Sequence, residues 1–165
     1  MTRFGIGYDA HPLMVGRPLV LGGVAVAFER GLEGHSDGDV LTHAIIDALL
    51  GAAALGDIGT HFRPGDPSVP EGASSIALLA RAMAMVRDAG WQVGNVDATI
   101  VAQRPRLAEH IVAMRTAIAD VLGSALGSVS IKATTEDGMG YTGSGRGMAA
   151  IAVASLESVV PGPIS

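Results

Sequence analysis

The stretch from Ser36 to Gly56 constrains the fold of this chain more than any other, because it reads as one helix with both ends marked. Ser36 or Asp37 can cap its start, Leu41, Ile45, Ala48, Leu49 and Ala52 recur at helical spacing, and Gly56 suits its end. A helix this apolar must be covered, and the flanking sequence offers the cover. Residues 3–11 and 18–28 read as strands, punctuated by Gly16-Arg17-Pro18 and Gly22-Gly23. Further helices are expected over 74–89 and 107–122, with strands over 93–102, 128–134 and 147–156. The order predicts an α+β fold, a two-layer sandwich in which a mixed β-sheet carries helices on one face. Residues 57–73, rich in Pro and Gly, read as a long loop of the kind that carries function. A single domain spans 1–158, and 159–165, with Pro161-Gly162-Pro163, is expected to be a frayed tail.

Composition sets what fills this frame. Hydrophobic residues make up 48% of the 165 residues and aromatics only 4%, so the core falls to Ala, Val, Leu, Ile and Met. Such a chain, with 23 glycines, suits closely packed elements and an oligomer that hides apolar faces, although an Ala-rich composition alone accounts for the numbers as well. The net charge of −5 and the lack of any Lys/Arg cluster exclude a nucleic-acid partner. No cysteine is present to ligate metal or form disulfides. The N-terminus lacks the apolar run of a secretory signal, and no stretch reaches the ~18 apolar residues of a membrane span, so a cytoplasmic protein is expected, with no membrane partner.

Asp9 and His11, two apart in a strand, project to one face and can converge on one ion. His43 offers a third ligand, and a set of two imidazoles and a carboxylate leaves a zinc ion one open position, as catalysis requires. On the helix, His43 lies in a stripe with Asp39 and Asp47, which either orient a ligating imidazole or merely face water. His35-Ser36-Asp37-Gly38-Asp39 caps the helix and, as a helix N-terminus, suits a phosphorylated ligand, to which His35 can donate. Lys132-Ala133-Thr134-Thr135-Glu136-Asp137-Gly138 brings a cation and hydroxyls for phosphate oxygens and carboxylates for Mg²⁺, or is simply a strand running into a turn. Ala102-Gln103-Arg104-Pro105-Arg106 is a basic turn at another strand end. One open zinc site, one acidic Mg²⁺ candidate and several phosphate-friendly turns point to chemistry at a diphosphate.

These motifs resemble, in order and from about Arg3 to Leu156, the 2-C-methyl-D-erythritol 2,4-cyclodiphosphate synthase family of the non-mevalonate isoprenoid pathway. The resemblance rests on Gly7-Tyr8-Asp9-Ala10-His11, His35-Ser36-Asp37-Gly38-Asp39-Val40, His43, the run Asp47 to Gly59, Gly94-Asn95-Val96-Asp97, Ala102-Gln103, Lys132-Ala133-Thr134-Thr135 and Gly140-Tyr141-Thr142-Gly143. It implies a homotrimer, with sheets around a threefold axis and active sites between subunits. It implies a lyase that converts 4-diphosphocytidyl-2-C-methyl-D-erythritol 2-phosphate into the cyclic diphosphate and CMP. By the resemblance Asp9, His11 and His43 hold zinc, Mg²⁺ or Mn²⁺ bridges the α- and β-phosphates, and His35 and Thr135 steady the transition state. Ser36 would hold the 2-phosphate region, and Asp57, Ile58 and Gly59 the erythritol hydroxyls, with Phe62, Asp66 and Tyr141 also at the substrate. Ala102, Pro105, Arg106, Leu107, Lys132, Ala133 and Thr134 would serve cytidine and its phosphates from the adjacent subunit.

Three departures from the family pattern bear on these roles. The family reads Lys-Ala-Thr-Thr-Thr-Glu, so here Asp137 stands at the Glu position and is expected to bind Mg²⁺, with Glu136 as competitor. The loop Phe62 to Pro67 lacks the usual Phe-Pro-Asp, leaving Asp66 as its acidic residue. Ser144 replaces an Arg that lines an axial cavity for isoprenoid diphosphates, so either Arg146 assumes that anion-binding role or the cavity binds none. A zinc phosphoester hydrolase and a non-catalytic isoprenoid-diphosphate-binding trimer are the alternatives.

Overall fold

Two glycines set the distance between the layers. A Cβ on Gly5 would lie 2.0 Å from the Ala48 carbonyl oxygen, and one on Gly7 1.9 Å from that of Ala44. Strand β1 (Thr2–Val15) therefore lies against helix α1 (Val40–Ala53) with almost no side-chain layer between them. The computed structural model describes residues 1–159; the expected tail over 160–165 lies outside the described residues. Along β1 burial alternates, so Gly5, Gly7, Asp9 and His11 face the helices while Phe4, Ile6 and Tyr8 lie on the opposite side.

Four more strands complete the main sheet: β4 (Arg30–Leu32), β5 (Trp91–Val101), β6 (Val129–Thr134) and β7 (Gly147–Ser158). Their order is β4-β1-β7-β5-β6, with β5 and β6 parallel and the other pairs antiparallel, which makes the sheet mixed as expected. Helices α1, α3 (Ser75–Asp88) and α4 (Ile111–Leu122) cover one face. Twelve of the fourteen α1 residues are buried, because α3 closes the side away from the sheet. Leu41, Ile45, Leu49, Leu79, Met83, Met114 and Ile100 form the centre of the core, each worth about 1.5–3 kcal/mol when removed from water. The other sheet face is bare: Phe4 is 71% exposed, Ile6 70% and Tyr8 56%, joined by Ile151 and Val153 of β7.

Local structure departs from the sequence reading in a few places. Residues 18–28 form not one strand but a tight hairpin, β2 (Leu19–Leu21) and β3 (Val24–Val26), because Gly22 and Gly23 both adopt positive φ. The 57–73 loop contains a one-turn helix, α2 (Ile58–His61), capped by Asp57. The Gly-rich turn before β7 holds another, α5 (Gly140–Gly143), and the helix expected from Leu107 begins with a 3₁₀ turn over Ala108–His110.

Candidate active site

Asp9, His11 and His43 meet at one end of the sheet, with a ligand atom of each within 4.8 Å of the others. Asp9 Oδ2 lies 2.7 Å from His11 Nε2 and 3.0 Å from His43 Nδ1, and the two imidazole nitrogens are 3.2 Å apart. The strand alternation of β1 and the first turns of α1 thus bring residues 34 apart in sequence together. Burial opposes charge on Asp9, but hydrogen bonds and positive potential from His11 and His43 prevail and hold its carboxyl well below the usual carboxylate range. Burial likewise opposes protonation of His11, yet Asp9 outweighs it and raises the imidazole above its ordinary value.

The remaining imidazole nitrogens are committed elsewhere. Nδ1–H of His11 donates to the Glu33 carbonyl at 2.5 Å, and Nε2 of His43 lies 2.9 Å from Ser75 Oγ and 3.0 Å from Ser36 Oγ. With its proton on that outer nitrogen, each ring would present a lone pair to the common centre, which is the donor set and orientation a zinc-like ion accepts. Asp39 and Asp47 do not perform the orienting role that their spacing suggested. Asp39, fully buried, is the cap of α1: its carboxylate accepts from the N–H groups of Gly22, Gly23 and Thr42 and from the Thr42 hydroxyl. The helical stripe fails because residue 39 precedes the helix and turns back to the β2–β3 hairpin. Asp47 accepts from the Ile58 N–H at 2.8 Å and so ties α2 to α1, and burial raises its pKa.

Around the cluster lies the phosphate-friendly turn. Ser36 is buried beside His43, while His35 Nε2–H donates to the Val69 carbonyl at 3.0 Å. Arg17, which the sequence reading overlooked, fixes this segment by donating to the carbonyls of Gly34 and Ser36 at 2.9 and 2.7 Å. Asp57 is exposed and accepts from the Thr60 N–H and hydroxyl, which lowers its pKa. Ile58 and Gly59 follow it in α2. Phe62 is buried, with the Arg81 guanidinium 4.8 Å over its ring, so its place is structural as well. Asp66 accepts from Ser68 N–H within its own turn.

A second region opens at the same end of the sheet. A cavity of about 430 Å³ is lined by Ala102, Pro105, Arg106, Leu107, Ala133, Thr134 and Thr135. In the strand register Asp9 pairs with Ala150, Ala150 with Ile100, and Ile100 with Ala133. The cavity is thus level with the Asp9–His11–His43 cluster but two to three strand spacings away, about 10–14 Å. Lys132 is not among its lining residues, because it pairs with Asp97 on the bare face and holds that carboxyl below its ordinary pKa. Thr135 donates to Asp137 Oδ1 at 3.2 Å, whereas Glu136 is engaged by the buried Thr142 hydroxyl. Tyr141 shares a 2.6 Å hydroxyl contact with Tyr8; burial first, then this bond, pushes it up to about 12. Arg146 is exposed and lines a cavity of about 460 Å³ with Tyr141, His11 and Pro12, and its Nε donates to Ser144 Oγ at 3.3 Å. No helix among the described residues is long and apolar enough to cross a membrane.

Known proteins agree with this geometry. The YgbB family matches residues 2–157. The 2-C-methyl-D-erythritol 2,4-cyclodiphosphate synthase of Moorella thermoacetica is 56% identical over 154 residues, 93% of this chain and 94% of the relative. The bifunctional IspDF of Campylobacter jejuni superimposes with a TM-score of 0.90 at 39% identity, over 96% of this chain and 42% of that longer protein. The Plasmodium falciparum IspF in complex with CDP gives a TM-score of 0.83 at 30% identity, over 95% of this chain and 96% of its own. With its strand-borne Asp9 and His11, helix-borne His43 and matching fold over nearly its whole length, the chain belongs to the YgbB family, among the 2-C-methyl-D-erythritol 2,4-cyclodiphosphate synthases.

Proposed function

We propose that this chain converts 4-diphosphocytidyl-2-C-methyl-D-erythritol 2-phosphate into 2-C-methyl-D-erythritol 2,4-cyclodiphosphate and CMP. The convergence of Asp9, His11 and His43 within 4.8 Å, beside the Ser36 turn, carries the reading. An oxygen of the substrate's 2-phosphate bonds to the β-phosphorus, and the bond from that phosphorus to the CMP oxygen breaks, CMP leaving with the electron pair. Both reacting groups belong to one molecule, so the protein's task is to hold them in line and spread the developing charge. A zinc ion held by Asp9, His11 and His43 supplies Lewis-acid polarisation of a β-phosphate oxygen when bound. Asp137, rather than the Thr142-bound Glu136, is the carboxylate that would hold Mg²⁺ or Mn²⁺, which would supply neutralisation of the diphosphate charge.

His35 and Ser36 act at the 2-phosphate end, Asp57, Ile58 and Gly59 at the erythritol, and Thr135 at the diphosphate. The Ala102 to Leu107 turn with Ala133 and Thr134 receives cytidine, a reading supported by the open cavity they line. Because that cavity is about 10–14 Å from the cluster, a neighbouring copy supplies it, in a homotrimer closed around the bare face of Phe4, Ile6, Tyr8, Ile151 and Val153. Either Arg146 takes the axial anion-binding role of this assembly, in place of the Arg missing at Ser144, or the axial cavity binds no diphosphate, and a cytoplasmic location belongs to the same proposal. A phosphorus NMR time course with this substrate, Zn²⁺ and Mg²⁺ is expected to give the two coupled resonances of a cyclic diphosphate alongside CMP. CMP with an acyclic product would transfer the site to a hydrolase, and an unchanged spectrum would leave only a binding protein.

A further inference from the structure

Neither Ser75 nor Asp37 faces the ligand centre, yet both are drawn into it through His43. Ser75 opens α3, 32 residues after His43, and is fully buried. Its Oγ lies 2.9 Å from His43 Nε2 and donates to Asp37 Oδ1, while its backbone N–H donates to Asp37 Oδ2 at 3.0 Å. With its hydrogen spent on Asp37, the Ser75 oxygen can only accept from the imidazole. His43 must therefore carry its proton on Nε2 and leave Nδ1 to the centre it shares with Asp9 and His11.

We infer that Asp37 and Ser75 form a positioning relay for the metal centre, a carboxylate acting on a ligand imidazole through an interposed hydroxyl. This rests on the metal-centre reading above. The relay fixes the ring tautomer and the orientation of Nδ1 toward the centre. It also accounts for Ser36, whose Oγ lies 3.0 Å from the same nitrogen but accepts from the Gly38 N–H at 3.3 Å. With Ser75 able to take the imidazole proton, the Ser36 hydroxyl is free to donate to a phosphate. Asp37 further joins the segment to the end of the 57–73 loop, through its own N–H to the Ala73 carbonyl at 3.0 Å.

The test is zinc affinity, measured on the full chain by competition with a chromogenic chelator, beside the melting temperature of the metal-free protein. Ser75→Ala is expected to weaken zinc binding about 10–100-fold, and Asp37→Asn by a smaller factor because the amide oxygen still accepts the hydroxyl. Ser36→Ala is expected to keep zinc affinity within about threefold while turnover falls. If Ser75→Ala melts early even without metal, Asp37→Asn decides. Wild-type affinity in both relay variants, with the unmodified chain binding zinc, overturns the relay alone, as does Ser36→Ala matching the loss in Ser75→Ala. Failure of the unmodified chain to bind zinc overturns the metal centre and the relay with it.

Discussion

The Asp9–His11–His43 cluster and the β5–β6 cavity sit at one end of one sheet, yet they are built in opposite ways. At the cluster, His43 is 8% exposed and each imidazole nitrogen has a partner, supplied by β1, the turn before α1, and α3. At the cavity, Thr134, Thr135 and Arg106 are exposed, and the Thr135 hydroxyl is engaged by Asp137 of the turn that follows it. The first region is held by contacts within one chain, and the second lies open. Preorganisation is thus concentrated at the cluster, and under the proposed assembly a neighbouring copy would close the cavity.

That contrast can be broken from either side. The largest effect belongs to the cluster: His43→Ala should remove stoichiometric zinc and lower kcat/KM at least about a thousandfold, the rate equivalent of several kcal/mol of charge stabilisation. Metal analysis and steady-state kinetics on one preparation check both. Next, Ile6→Glu would bury a charge in the proposed trimer interface and should dissociate that trimer, lowering activity about a hundredfold while zinc affinity stays within about threefold. Sedimentation together with chelator competition would detect the split, and zinc lost in step with assembly would refute a self-contained cluster. Smaller still, Asp137→Asn should raise the Mg²⁺ concentration needed for half-maximal rate about tenfold, whereas Glu136→Gln should shift it less than about threefold. Reversal of that order in a Mg²⁺ titration would hand the role to Glu136.

The smallest effect concerns Lys132 and Asp97. Lys132 lowers the Asp97 pKa, so the pair's contribution to stability is present above the ordinary carboxylate range and is lost as pH falls through the lowered folded value. Both side chains are about half exposed, 52% and 49%, so Asp97→Asn should cost less than about 1 kcal/mol near neutrality and nothing at acid pH. Denaturant midpoints at the two pH values measure the difference.

What the sequence reveals follows from how local each interaction is. Asp9 and His11 are legible because strand parity is a two-residue rule, and α1 is legible because its apolar spacing and Gly56 are contiguous. Asp39 misleads because its i, i+4 spacing to His43 assumes a helix that has not yet begun, and its true partners are 16 and 17 residues upstream at Gly23 and Gly22. Ser75 leaves no signal at all: a serine at the start of a helix reads as a cap, and only the packing of α3 on α1 brings it to His43. The family resemblance supplied residue roles, but it could not show that Lys132 spends its charge on Asp97 or that Glu136 is held by Thr142.

Subunit complementation tests the central claim, a site divided between copies, most directly. His43→Ala disables the cluster half and Thr135→Val the cavity half, so each homotrimer should be nearly inactive. Unfolding and reassembling the two together creates interfaces that join an intact cluster to an intact cavity, and a substantial fraction of wild-type turnover should return. If the mixture stays as inactive as its parents although mixed trimers form, cluster and cavity belong to the same chain and the divided site is wrong.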